Sequence, residues 1–252
     1  MSLLTLARDL KRRKGRERRS LFLAEGVRAV EELIRSELSV RGVLVTPQFL
    51  ESARGSALAA LIADRRITLE RVDERDLASA ADTDTPQGIL AVAETPEYRL
   101  SSIPVTGIAR IVVLDGIQDP GNAGTIVRTA AALGASGIVA LPGTVDLWNP
   151  KVVRGAMGAH FRYPLVHAAS EELFDFLGAA SIPLWGAAAD GESIGSRRAP
   201  AAVAVALGNE GAGLTPAVRE RCDLLVSIPL EPAVESLNVA VAAGIILHEL
   251  RG

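Results

Sequence analysis

The chain has almost nothing with which to cross-link itself: of its 252 residues only one, Cys222, is a cysteine. A single thiol forms no intrachain disulfide, and without clustered Cys and His partners it makes no zinc site. Cys222 reads as a small core hydrophobe. Aromatic residues are scarce at 4%, so cores must be assembled from Ala, Val, Leu and Ile. Long apolar runs are missing too. Val239 to Leu247 spans nine residues, far short of the ~20 needed to cross a bilayer. Met1 to Leu6 is mildly apolar and runs straight into Arg8 and Lys11, the reverse of a signal peptide's order. Together these point to a cytoplasmic protein with no membrane span and no metal. Nor does one sign of charge dominate: 27 Lys and Arg against 30 Asp and Glu leave −3, so bulk charge advertises no polyanion partner. What is present is globular composition, 48% apolar and 23% charged, which excludes wholesale disorder and a coiled coil.

The charge is unevenly spread. Residues 1–95 carry +1 and the remainder −4, and between Arg8 and Arg19 eight basic residues face only Asp9 and Glu17. Arg8 apart, these are Lys11, Arg12, Arg13, Lys14, Arg16, Arg18 and Arg19, a candidate phosphate-contacting patch or else a solvated terminus. Helical spacing over Glu25 to Glu37, a strand at Val40 to Val45, a helix at Ala57 to Ala63 and strands near Ile67 to Val72 and Gly88 to Ala93 predict a small α/β domain over 1–95. Pro96, Pro104 and the lack of periodicity between them predict a linker over 96–107. From 108 to 252 the alternation restarts. Strands are expected at Ile111 to Leu114, Ile138 to Leu141, Leu165 to His167, Pro183 to Ala188, Ala202 to Leu207 and Leu224 to Ile228. Helices are expected at Asn122 to Leu133, Glu171 to Leu177 and Val239 to Leu250. Apolar strands alternating with helices imply a parallel sheet covered on both faces, with ligands collecting at the carboxyl ends of its strands.

Three loops at such ends stand out. Asp115 to Thr125 has Gly116 and Gly121 at P-loop spacing, but Asn122 stands where the lysine is needed, and no dinucleotide fingerprint is present. Asn122 suits a helix N-cap. In the helix beyond, Ala123, Ile126, Val127, Ala130 and Ala131 form the apolar stripe, and Arg128 lies well off it. Leu207 to Thr215 packs three glycines around Glu210, which suggests close approach of a ligand to backbone, and Thr215-Pro216 reads as a cap followed by Pro at the first helical position. Ile228 to Asn238 ends with Ser236 and Asn238 flanking Leu237, of which one suffices as a cap.

In this order, Asn122 with Gly124 and Arg128, then Gly208-Asn209-Glu210-Gly211, then Ser236-Leu237-Asn238-Val239 resemble the three motifs of the SpoU class of RNA ribose 2′-O-methyltransferases, in the SPOUT superfamily. Residues 1–95 resemble the substrate-binding domain of many members, related in fold to a ribosomal RNA-binding protein, on Phe22-Leu23-Ala24-Glu25-Gly26 and Gln87-Gly88-Ile89. The resemblance implies a C-terminal parallel-sheet domain with a deep trefoil knot, involving Leu207 to Leu214 and Ile228 to Leu250. It implies S-adenosylmethionine held near Leu207, Gly208, Gly211, Ile228, Leu230 and Leu237, and a homodimer. It implies Arg128 as the essential arginine, with Asn122, Glu210, Ser236 and Asn238 around the reaction centre. The substrate implied is structured RNA, ribosomal RNA ahead of tRNA because of the long N-terminal domain, with a non-catalytic ribosome-assembly factor as the competing reading. Many relatives carry a serine near Ala156.

Overall fold

The computed structural model describes residues 1–231, 233, 234 and 236–251; Pro232 and Glu235 of the third loop, and Gly252, lie outside the described residues. The chain divides into two compact units, Met1–Glu97 with Trp148–Arg162 as unit 1, and Tyr98–Leu147 with everything from Tyr163 onward as unit 2. The domains expected from the sequence are contiguous, whereas these units are not.

Unit 1 is built on a four-stranded sheet, β1 (Leu21–Glu25), β2 (Val40–Val45), β3 (Leu69–Arg71) and β4 (Ile89–Glu94), in the order β1-β4-β2-β3. β4 is antiparallel to β1 and β2, and β2 is parallel to β3. The basic N-terminus is folded rather than frayed. Leu3, Leu6, Ala7 and Leu10 share one face of the helix Leu3–Leu10, which Ser2 caps, and that face joins Leu77 and Ala80 of the helix Glu74–Ala80 in the core.

Trp148–Arg162 enters unit 1 because it carries the partners this sheet's surface needs. The Trp148 ring lies 4.5 Å from that of Phe22 and the Phe161 ring 5.8 Å from it. Arg154 bridges Asp82 at 3.0 Å and buried Glu25 at 3.5 Å, while Arg162 reaches Glu32 at 2.6 Å. Three of the chain's nine Phe, Trp and Tyr residues thus meet within unit 1. Ala156 is fully packed in this segment, 1% exposed.

Unit 2 holds six parallel strands, β5 (Ala109–Asp115), β6 (Gly137–Ala140), β7 (Leu165–His167), β8 (Leu184–Ser193), β9 (Ala202–Gly208) and β10 (Leu224–Ser227), ordered β10-β8-β9-β5-β6-β7. All seven residues of β5 are buried, as expected for a central strand covered on both faces. β8 runs five residues beyond its expected end at Ala188, since its polar continuation still pairs with β10 after a register shift. Tyr98, Leu100, Ile103 and Val105, in the expected linker, pack on the unit 2 core; prolines hid their spacing. Cys222 is half-buried beside Gly186, where an added Cβ would sit 2.7 Å from its sulfur. Burial pushes the thiol up to about 11, the behaviour of a core hydrophobe. Arg110 opens β5 as a buried guanidinium, with Nε donating to the Leu250 carbonyl at 2.8 Å and Nη1 to those of Ala109, Pro200 and Ala201. No described helix is long and apolar enough to cross a membrane.

Candidate functional site

Because β5, β9 and β10 run the same way, the loops after Asp115, Gly208 and Ser227 leave from one edge of the sheet. Asp115 and Asn209 tie these loops together. Asp115, 2% exposed, accepts from the Thr215 backbone N–H at 2.6 Å and from its hydroxyl at 3.3 Å. Asn209 donates from Nδ2 to the Gly116 carbonyl at 3.0 Å, while its Oδ1 accepts from Gly211 and Ala212 N–H at 2.9 and 3.1 Å. Asn209 and Gly213 also exchange backbone hydrogen bonds, so the turn is closed and Glu210 stands at its tip. Gly208 has to be glycine: a Cβ there would lie 2.2 Å from the backbone of Gly213, which cannot yield as a flexible side chain would.

Asn122 is not the helix cap. The helix Pro120–Ala132 starts earlier, with Asp119 accepting from the Asn122 N–H at 2.7 Å and Pro120 in the first position. Asp119-Pro120 carried that signal in the sequence. The Asn122 side chain is therefore free to bridge the other two loops. Its Nδ2 donates to Glu210 Oε1 at 2.5 Å, and its Oδ1 accepts from Asn238 Nδ2 at 3.0 Å. Asn238 also caps the final helix Val239–Glu249, accepting from Ala240 and Val241 N–H. Of the two polar residues flanking Leu237, Asn238 is the cap, which leaves Ser236 exposed at the neighbouring cavity. Thr215 caps its short helix as the sequence suggested. The structure thus gathers Asn122, Glu210 and Asn238 into one hydrogen-bonded chain. Arg128 is exposed on the same helix as Asn122, roughly 9 Å further along its axis and about 240° around it.

Beside this chain lies a cavity of about 400 Å³, lined by Leu207, Gly208, Ile228, Leu230 and Leu237 together with Ala187 to Ala189 and Glu210, a size typical of small-molecule sites. Gly211 is not among the lining residues; its N–H is held by Asn209. Among the described residues, aliphatic side chains and glycine backbone form the wall, Glu210 is the carboxylate, and no lysine or arginine lines it. Such a lining suits a ligand with an apolar body and a cationic rather than a phosphate substituent.

The basic cluster sits in unit 1. Arg16 departs from the expectation of a phosphate contact: it is 4% exposed, and its Nη1 donates to the Leu10 and Lys11 carbonyls at the end of the first helix. Arg18 and Arg19 converge on Asp9 at 2.8 and 2.7 Å, and the hydrogen bond from Arg19 holds the Asp9 carboxyl below its usual range. Arg13 pairs with Glu17, and Lys11 reaches the Ser79 carbonyl at 3.4 Å. Arg12 and Lys14 are exposed. Among the described residues no cluster of His, Cys, Asp and Glu is arranged to hold a metal.

A family model described as the SpoU rRNA methylase family matches residues 109–248, and one described as an MRM3-like substrate binding domain matches residues 5–91. The chain is 35% identical over 251 residues to a Bacillus subtilis protein named 23S rRNA (guanosine(2553)-2′-O)-methyltransferase RlmP, spanning 97% of this chain and 94% of that one. It is 32% identical over 244 residues to the 23S rRNA (uridine(2479)-2′-O)-methyltransferase of Streptomyces viridochromogenes, spanning 94% and 84%. Among solved structures, the SpoU methyltransferase AviRb of Streptomyces viridochromogenes in complex with AdoMet superposes with a TM-score of 0.88 at 31% identity, covering 100% of this chain and 97% of that one.

Proposed function

The chain belongs to the SpoU rRNA methylase family, and from that premise we propose that it transfers a methyl group from S-adenosylmethionine to a ribose 2′-oxygen in large-subunit ribosomal RNA. The observation that carries this reading is the hydrogen-bonded chain Asn238–Asn122–Glu210, which joins the three motif loops beside a cavity of fitting size and lining. The relatives named for 23S rRNA align over nearly the whole chain, including the 5–91 stretch matched as a substrate-binding domain; this favours ribosomal RNA over tRNA.

Leu207, Gly208, Ile228, Leu230 and Leu237 would hold the cofactor, largely through backbone groups and aliphatic contact. The cofactor supplies an activated methyl on a positively charged sulfur. What the chain must supply is placement of a 2′-hydroxyl and stabilisation of the charge that develops as its proton leaves. A guanidinium offers a planar fork of donors and a positive charge; we assign Arg128 to orienting the adjacent phosphate and stabilising the developing oxyanion. Asn122, fixed from both sides by Glu210 and Asn238, keeps the three loops in one register, and Ser236 offers a hydroxyl at the cavity rim.

The family's finer features belong to this proposal. A trefoil knot through Leu207 to Leu214 and Ile228 to Leu250 is supported by the strand order, in which the chain returns after β10 to end at Arg110 of β5. A homodimer is supported by Leu230, Val234 and Val241, exposed apolar side chains of the C-terminal segment. A cytoplasmic site of action is part of the same proposal, supported by the bacterial relatives named for 23S rRNA.

Incubating the full chain with labelled S-adenosylmethionine and total RNA, then mapping alkali-resistant linkages, tests the reading. Transfer to one site in large-subunit rRNA is expected; RNA binding with no transfer to any RNA would favour the non-catalytic factor. Arg128→Ala is expected to abolish transfer with cofactor affinity within about threefold, since it lies outside the cavity lining.

A further inference from the structure

We propose that the loop Thr83–Gly88 of unit 1 is an RNA-reading element, and that the two cavities flanking it take unpaired nucleotides of the substrate by stacking and base-edge hydrogen bonds. This rests on the RNA methyltransferase reading and names the surface that recognises the RNA.

Thr85 and Gln87 line both cavities. The larger, about 550 Å³, is also lined by Gln48, Phe49 and Arg75. The smaller, about 190 Å³, is also lined by Arg28 and Met157. The loop between them is anchored at both ends. Buried Glu25 accepts from the Asp82 and Thr83 N–H groups at 2.8 and 3.3 Å and from the Thr83 hydroxyl. At the other end, Gln87 Oε1 accepts from the Val27 N–H at 2.9 Å, and the Gly88 carbonyl accepts from the Thr46 N–H at 2.9 Å. Gly88 has φ +79°, and a Cβ there would lie 2.8 Å from Phe49 Cβ, so glycine is what lets the Phe49 ring lie against the loop. A loop held this way loses little entropy when a ligand arrives.

The chemistry on offer matches bases better than phosphates. Unstacked RNA bases are recognised by stacking on aromatic rings and by hydrogen bonds to their edges. Phe49 is a half-buried ring at the larger cavity. Gln48 and Gln87 carry amides, and Thr85 a hydroxyl, able to donate and accept as a base edge does. Glu74 and Asp84 at the same cavity accept from exocyclic amines and repel phosphate. Arg28 and Arg75 are exposed and make no ion pair among the described residues, in contrast to Arg13, Arg18 and Arg19 of the N-terminal cluster, which are ion-paired within unit 1.

The experiment is equilibrium binding of a 23S rRNA transcript to the full chain over a range of salt. Phe49→Ala is expected to weaken binding on the order of tenfold, from the loss of one base–aromatic stack. The slope of log affinity against log salt should stay unchanged, because no phosphate contact is removed. Arg75→Gln, an exposed change that leaves folding intact, is expected to weaken binding at least threefold. Cofactor affinity and the melting temperature should be unmoved in Arg75→Gln. Affinities within twofold of the parent chain in both variants would overturn the proposal, as would a loss in Phe49→Ala accompanied by a smaller salt slope. A parent chain that neither binds nor methylates any RNA would overturn the function reading itself, and this proposal with it.

Discussion

Arg110→Met should selectively loosen unit 2. The guanidinium is 7% exposed and makes four hydrogen bonds, all to backbone carbonyls. The Ala201 carbonyl keeps a second donor, the Ala109 N–H at 2.9 Å, and Pro200 is half-buried, so water can replace the arginine there; the buried Leu250 carbonyl loses the Nε donor. A buried acceptor left unsatisfied costs about 1–3 kcal/mol. Burial already disfavours the charged guanidinium, lowering its pKa, and relief of that burden with an apolar replacement offsets part of the loss. A net destabilisation of about 1.5 kcal/mol is expected. With a urea m-value near 2 kcal/mol/M, the midpoint should fall by roughly 0.75 M. Fluorescence can isolate the affected unit: of the two tryptophans, Trp148 lies in unit 1 and Trp185 in β8 of unit 2. In a Trp148→Phe background, the Trp185 transition should move and cofactor affinity should fall with it, because Val239, Ala242 and Ile246 of the helix ending near Leu250 line the cavity. A Trp185 midpoint shifted by less than 0.3 M would show that the Leu250 carbonyl finds another donor and would refute the reasoning.

Asn122→Ala removes the two hydrogen bonds that link the first loop to Glu210 and to Asn238, leaving those of Asp115 and Asn209 in place. Displacement of the reacting groups by about 1 Å costs on the order of 100-fold in kcat, and that loss is expected with cofactor affinity within about threefold; steady-state kinetics with both substrates separates the two effects. Cys222, with its thiol pushed up to about 11 by burial first and by Asp223 second, should react slowly with iodoacetamide at pH 8, its rate climbing as pH approaches 11. The sign for stability follows: the fold favours the protonated thiol, so this contribution is intact below the ordinary value of 9.0 and is lost as pH rises from there through about 11. An alkylation profile that turns over near pH 9 would contradict the burial argument.

Strands buried on both faces were the most legible elements, because continuous apolar runs admit few other readings. β9, with five of its seven residues buried, begins at the expected Ala202 and runs one residue past the expected Leu207; β2 and β7, each with an exposed residue, nonetheless fall on Val40–Val45 and Leu165–His167 with the expected bounds. Helix starts were less legible where two caps competed. Asn122 and Asp119 both suit the role; Asp119, followed by Pro at the first helical position, takes it and leaves Asn122 for the loops. Asp115 and Asn209 were invisible as positioning residues, since each acts on a backbone distant in sequence, Thr215 and Gly116. The segment Trp148–Arg162 was misplaced for a related reason. Its membership of unit 1 rests on Phe22, Glu25, Glu32 and Asp82, and nothing in its own periodicity announces those partners.

Charge shows most sharply where sequence reading stops. Counting from Arg8 to Arg19 finds eight cations against two anions, which looks like a surface awaiting phosphate. In the fold Asp9 alone engages Arg18 and Arg19, Asp76 of another helix engages Arg8, Glu17 engages Arg13, and Arg16 is buried on carbonyls. The cluster's density reflects the packing of two short helices, Leu3–Leu10 and Arg13–Arg19, as much as any partner. Sequence density and availability therefore diverge. Arg28 and Arg75 stand alone in the sequence, yet they line the cavities beside Thr85 and Gln87 without an ion pair among the described residues. If the Thr83–Gly88 loop reads RNA as proposed, this near-neutral protein recognises its substrate by fitting unpaired bases. Its affinity for duplex should then be weak and salt-sensitive, while its affinity for the correct unpaired segment persists as salt rises.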